Sequence, residues 1–351
     1  MFTTAIVSGL TAMILALIVG KIVIKNGSKL GIVDDPSLHK HPKVVHTFPV
    51  PRGGGIVIAI TILVSSLIFI PIDKRLIGIL AGVLILGVVG FLDDRFEEKI
   101  SPYTRLAVNA LAALLVIGAG IGISYITNPL GGIINFNWVL ADLFALVWLV
   151  WMQNIVGWSS GVDGQLPGFV VIAALTMAAL SLRFATDGSQ TQVIILSLIV
   201  AGAYLGFGYW NWFPQKMMPG YGGKSIAGFC LGVLAILSGA KVGAMMIVLG
   251  VPFIDAALVI FKRLREGRNP VWGGYEHLHH MLLARGWGKK RIAIFYSTIS
   301  AVMAILALNL NSSSKYFTMA AVVLLITGGV LWLQNFSTIS KLPDPDNGSK
   351  T

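Results

Sequence analysis

The sequence predicts an all-α, polytopic integral membrane protein: a helical bundle of about eleven spans, ten at the fewest, with the N-terminus outside and the C-terminus cytoplasmic. Three observations carry this. Hydrophobic residues make up 56% of the 351 and charged residues only 12%, where soluble domains hold about 25% charged residues. The mean hydropathy of +0.82 is more apolar surface than a water-soluble fold can hide. Lys and Arg also fall unevenly between alternate loops. Composition therefore excludes a soluble enzyme, a disordered chain and a disulfide scaffold, and the single cysteine, Cys230, allows no internal disulfide.

A helix needs about 20 apolar residues to cross the hydrocarbon core. Such runs occur at 4–24, 54–72, 76–92, 105–126, 138–156, 166–182, 192–210, 225–240, 242–261, 292–310 and 316–336. The first lacks a small-residue cleavage site and reads as a retained span. The divider at Gly239-Ala240-Lys241 is the weakest, which leaves ten as the alternative. If loop 25–53 is cytoplasmic, so are 93–104, 157–165, 211–224, 262–291 and the tail. That side then receives 21 of the 26 Lys and Arg, and positive charge stays inside. Residues 1–340 read as one transmembrane unit and 341–351 as a polar tail. All six histidines, among them His39, His41 and His46, fall on the same side, as do Asp93, Asp94, Glu97, Glu98 and Asp163. The net charge of +11 suits anionic headgroups and an anionic substrate, although positive-inside topology alone accounts for it.

Each cytoplasmic loop carries a candidate for chemistry. Pro51-Arg52-Gly53-Gly54-Gly55 opens the second run; exposed amides at a helix start beside Arg52 make an anion site, or a turn with a snorkelling arginine. Asp93 and Asp94 end the third run. On a helix they point about 100° apart, so one can hold a metal while the other orients a lysine or takes a proton; the plain alternative is a solvated helix end. Asn154 closes the fifth run, and Asp163 lies between glycines in a turn that either presents it to a ligand or lets it cap its own backbone.

Gly222-Gly223-Lys224-Ser225 opens the eighth run. It is no nucleotide-triphosphate loop, because Met218 stands where the first glycine belongs and no strand precedes it. Glycine amides with Lys224 can still cradle a phosphate. His277 and His280 are spaced to share a helix face, with His279 facing elsewhere. Without a cysteine, and with only Glu276 to assist, phosphate or sugar contacts suit these histidines better than zinc.

These loops, in this order, resemble the polyprenyl-phosphate N-acetylhexosamine-1-phosphate transferases, glycosyltransferase family 4. The matches are Pro51-Arg-Gly-Gly, Asp93-Asp94 with Ser101-Pro-x-x-Arg105, Pro252-Phe-Ile-Asp255 and His277-Leu-His-His-x-Leu-Leu-x-x-Gly286. The last resembles the branch using UDP-N-acetylglucosamine more than the muramoyl-pentapeptide branch. The resemblance implies transfer of a sugar-1-phosphate from a UDP-N-acetylhexosamine to a polyprenyl phosphate in the plasma membrane, releasing UMP for envelope glycan assembly. It implies Mg2+ (or Mn2+), with Asp93, Asp94 and Asp163 catalytic and Asp163 and Asp94 on the metal. Arg52, Arg105, Asn154, Gly222, Gly223, Lys224, His277, His279 and His280 then bind substrate. No nucleic acid is expected as a partner; a homodimer is compatible with the sequence.

Two departures stand out. The family pattern after Asn154 has a second Asn and a first Asp where this chain has Gly157 and Ser160. The family's Gly-Asp-x-Gly, whose Asp ligates magnesium, is here Gly220-Tyr221-Gly222-Gly223. Besides an active transferase with an altered metal site, the sequence therefore admits a non-catalytic relative that binds a lipid-linked or nucleotide partner. A transporter fits less well, because Asp142 and Asp255, the acidic residues inside spans, lie near the ends.

Overall fold

A computed structural model describes residues 2–36, 48–96, 100–128, 132–183, 188–239, 241–271, 274–310 and 312–335. His39, His41, His46, Glu97, Glu98 and the expected tail 341–351 lie outside the described residues. Thirteen described helices and two small hairpins follow in order: α1 (Phe2–Leu30), β1 (Val33–Asp34), β2 (Val50–Pro51), α2 (Gly54–Phe69), α3 (Lys74–Arg95), α4 (Pro102–Gly118), β3 (Tyr125–Thr127), β4 (Ile133–Asn135), α5 (Trp138–Trp158), α6 (Gln165–Leu182), α7 (Gly188–Asn211), α8 (Gly220–Leu237), α9 (Val242–Val248), α10 (Gly250–Arg265), α11 (Leu278–Ala284), α12 (Lys289–Asn309) and α13 (Ser312–Asn335).

Each apolar run became a helix or a bent pair. By length and composition seven helices can cross a membrane, eight if α9 and α10 count as one span bent by 84°, and α2, α4 and part of α13 are shorter apolar helices. Two boundaries differ from expectation. The run 242–261 is broken at Leu249 into α9 and α10. The run 105–126 stops being helical at Gly118, and Tyr125–Thr127 pairs antiparallel with Ile133–Asn135 instead. Three glycines between 118 and 122 make continued helix unfavourable there. Helix starts follow side-chain capping: Asp73 accepts from the Leu76 amide, Ser101 from Thr104 ahead of Pro102, and Asn137 from Leu140.

Helix α8 is the axis of the bundle, buried along nearly its whole length and packed by α2, α3, α5, α6 and α7. Small residues let it approach its neighbours. A Cβ on Gly90 would stand 2.4 Å from the Gly222 Cα, and one on Gly55 would stand 3.0 Å from it. In an interior close-packed like this, that contact pins the start of α8 against α2 and α3. A second, smaller apolar cluster of Val162, Val251, Leu278, Leu282, Ile292 and Tyr296 anchors α11 at the same end of the bundle.

Candidate active site

The polar loops meet at that end. Arg52 N donates to Ile32 O (2.8 Å), Met218 N to Pro51 O (2.9 Å) and Gly54 N to Met218 O (2.9 Å), stitching the β1–β2 hairpin to the segment before α8. Arg52 Nε donates to Asp34 Oδ2 at 3.0 Å, fixing the guanidinium. Around these lies an open cleft of about 1690 Å³. Of the residues singled out in the sequence, Arg52, Asp93, Asp94, Arg105, Asn154, Asp163, Lys224 and His280 line it.

Asp93 and Asp94 do occupy different surroundings, but neither is a solvated helix end: both are buried. Asp93 Oδ1 accepts from Arg105 Nε at 2.6 Å. Asp94 Oδ1 accepts from the Tyr221 amide at 3.2 Å. Gly220 makes this approach feasible. Its φ is +61°, and a Cβ there would stand 2.1 Å from Asp94 Oδ2. The Tyr221 side chain also lines the cleft, its hydroxyl bonding to Asn109 Oδ1 (2.7 Å) and the Arg105 carbonyl (3.0 Å) of α4. Asp163 joins the cleft through partners the sequence did not suggest: Lys289 Nζ lies 3.2 Å from its Oδ1, and the Gln215 amide donates to its Oδ2 at 3.3 Å.

Four residues sit differently from the sequence reading. Gly222 and Gly223 are not in the cleft wall; they are buried packing residues of α8, and the Gly223 amide donates to Pro219 O at 3.1 Å. They therefore do not present a phosphate cradle. His277 and His280 do not share a helix face, because His277 precedes α11 as its cap residue. His277 and His279 are buried behind the wall and His280 alone of the three lines the cleft. His277 Nδ1 is 2.8 Å from Asp255 Oδ2, whose other oxygen accepts from the Leu278 amide at 2.7 Å. The His277 and His279 rings stack at 5.8 Å, and those of His279 and His280 lie 4.0 Å apart. Burial, then His280, His277 and Lys224, hold the His279 ring well below its ordinary pKa, so it is neutral.

The loop carrying these histidines is tied down by Glu276, which accepts from Arg263 Nε (2.8 Å), Lys262 Nζ (3.2 Å) and Arg268. Burial pushes the Glu276 carboxyl up, and these cations more than reverse it, holding it at about 2. The residues not singled out as site candidates are Asn109, Gln215, Asp34 and Lys289; Asp34 lies in the Gly31-Ile-Val-Asp-Asp-Pro stretch of the first loop, and the other three carry no motif. On its other side the cleft is apolar, walled by Leu106 and Ala110 of α4, Leu146, Val147 and Val150 of α5, and Ile260 of α10. Val147 there is exposed, so apolar surface lies open beside the polar groups of the cleft.

Residues 76–239, which include Asp93, Asp94, Asp163 and Lys224, match glycosyl transferase family 4. That segment is similar to the family 4 glycosyl transferases. Over 92% of its length the chain is 29% identical to a Bacillus subtilis (strain 168) protein named a probable undecaprenyl-phosphate N-acetylglucosaminyl 1-phosphate transferase, of which 88% is covered. It is 27% identical over 71% of its length to a decaprenyl-phosphate N-acetylglucosaminephosphotransferase of Mycolicibacterium smegmatis, covering 69% of it. It is 29% identical over 74% of its length to a phospho-N-acetylmuramoyl-pentapeptide-transferase of Halalkalibacterium halodurans, covering 83% of it.

The family 4 resemblance implies magnesium, and the cleft holds carboxylates of the kind it takes. Magnesium binds through one or two carboxylates and completes its shell with waters and substrate phosphates. Asp94 and Asp163 both line the cleft and are the carboxylates that would hold it. Among the described residues no three His, Cys, Asp or Glu stand together as a metal cluster, so Asp93, Asp94 and Asp163 do not gather into one three-carboxylate site.

Proposed function

We propose that the chain transfers an N-acetylhexosamine-1-phosphate from a UDP-sugar to a polyprenyl phosphate, releasing UMP, at the cytoplasmic face of the plasma membrane. One observation carries the reading: a polar, charge-paired cleft opens directly beside an apolar wall whose Val147 is exposed. A reaction joining a water-soluble nucleotide to a membrane lipid needs that junction. The family and the names of its relatives support the reaction class, and the Lys and Arg bias supports the side.

In this reaction an oxygen of the lipid phosphate attacks the β-phosphorus of the UDP-sugar, and the bond from that phosphorus to the UMP oxygen breaks. The attacking monoester has a second pKa of about 6, so it arrives largely ionised at neutral pH and needs little base assistance. Positioning and positive charge therefore dominate. Arg52, fixed by Asp34, and Arg105, fixed by Asp93, hold phosphate oxygens in place. Asp94 and Asp163 would hold magnesium, which when bound draws charge from the diphosphate oxygens. His280 and Asn154 contact the sugar-nucleotide. Leu146, Val147 and Val150 take the first isoprene units.

The test is UMP release from UDP-N-acetylglucosamine by the purified chain in detergent, with and without a polyprenyl phosphate. Lipid-dependent UMP release is expected. A second reading, a relative that binds these substrates without turnover, is favoured by one observation: where the family places a ligating carboxylate stands Tyr221, whose hydroxyl bonds to Asn109 and the Arg105 carbonyl of α4. Tight UDP-sugar binding with no UMP release would select it.

A further inference from the structure

We propose that Lys224 binds the diphosphate of the nucleotide sugar, so that the substrate binds to this chain with the divalent ion removed. This rests on the transferase reading and goes beyond it, to how this chain neutralises its substrate.

The first support is position. Lys224 is in the first turn of α8 and lines the cleft together with Arg52 and Asp94. Its place is fixed, because the turn that carries it is pinned by the contact of Gly222 with Gly90 and Gly55. Its stem runs beside Gly157, 3.8 Å from where a Cβ would stand there, a site the family fills with asparagine.

The second support is charge. Four carboxylates and four side-chain cations line the cleft, and Lys289 adds a further cation on Asp163. A diphosphate therefore does not enter a net negative site that only a metal could neutralise. The family's ligating carboxylate is replaced by Tyr221, and three residues on a fixed cation appears. An ammonium needs no coordination geometry and its flexible stem can follow the diphosphate.

The test uses the full chain in detergent, titrated with UDP-N-acetylglucosamine in magnesium and in EDTA, with uridine as the phosphate-free control. The parent is expected to bind in both buffers, within about tenfold of each other. Lys224→Met should weaken binding in EDTA by roughly 10- to 150-fold, the range for a hydrogen bond to a charged group, with uridine binding unchanged. Lys224→Arg should keep most of the affinity. The paired change Tyr221→Asp with Lys224→Ser, which restores the family carboxylate and removes the ammonium, should make binding magnesium-dependent.

The proposal falls if the parent binds only with magnesium, if Lys224→Met binds as the parent does, or if Lys224→Arg is as weak as Lys224→Met. It also falls if Lys224→Met weakens only a soluble short-chain prenyl phosphate, since the lysine would then serve the lipid phosphate. A parent that binds no UDP-sugar in either buffer would overturn the transferase reading itself.

Discussion

Lys289 Nζ lies 3.2 Å from Asp163 Oδ1, a contact between residues 126 positions apart, and both side chains are largely buried. It means that one of the cleft's carboxylates brings its own counter-charge from the start of α12. Lys289→Met should therefore destabilise the chain by about 1–3 kcal/mol, because it strands a buried carboxylate that keeps only the Gln215 amide. Thermal unfolding in detergent measures this. Adding Asp163→Asn should recover most of the loss; no recovery would place the effect in packing and not in the ion pair.

Asp94→Asn should reduce UMP release by about 100-fold or more with little change in unfolding temperature, since asparagine keeps the acceptor for the Tyr221 amide. Asp93→Asn should lower turnover as well and also cost about 1 kcal/mol, because Arg105 loses the charge of its 2.6 Å partner. Turnover and melting recorded side by side separate the two. Near-parental turnover in Asp94→Asn would remove that carboxylate from the chemistry.

Gly220→Ala tests how the pair is presented. The positive φ costs alanine about 1–2 kcal/mol, and the new Cβ must displace Asp94 Oδ2, which stands 2.1 Å away. Gly220→Asn relieves much of the backbone cost and keeps the collision. Both should lose turnover, the alanine variant with the lower unfolding temperature. Full activity in the asparagine variant would show that Asp94 need not sit where it does.

The buried His279 ring makes the fold sensitive to mild acid. Its pKa in the folded chain lies well below the ordinary value, which is about 6.5 in an unfolded chain. Below that pH the unfolded chain takes up a proton that the folded one refuses, so stability falls as pH falls, by up to about 1.4 kcal/mol per pH unit from this one group. Unfolding temperature should rise between pH 5 and pH 7 in the parent and rise less in His279→Asn. An unchanged slope in the variant would assign the dependence to other groups.

The sequence by itself determined that this is a helical membrane bundle, because a run of about 20 apolar residues has few stable outcomes in lipid. Of the residues singled out in local motifs, Arg52, Asp93, Asp94, Arg105, Asn154, Asp163, Lys224 and His280 line one cleft, and Gly222, Gly223, His277 and His279 do not. Tertiary structure alone decided who partners whom. Local patterns hold no record of a contact such as Lys289 with Asp163 or Tyr221 with Asn109, which close only when distant helices pack. Tertiary structure also decided which glycines serve a ligand. Gly222 and Gly223 look like a phosphate cradle in the sequence, but close packing against Gly90 and Gly55 occupies them, because a glycine that lets a substrate approach equally lets a neighbouring helix approach.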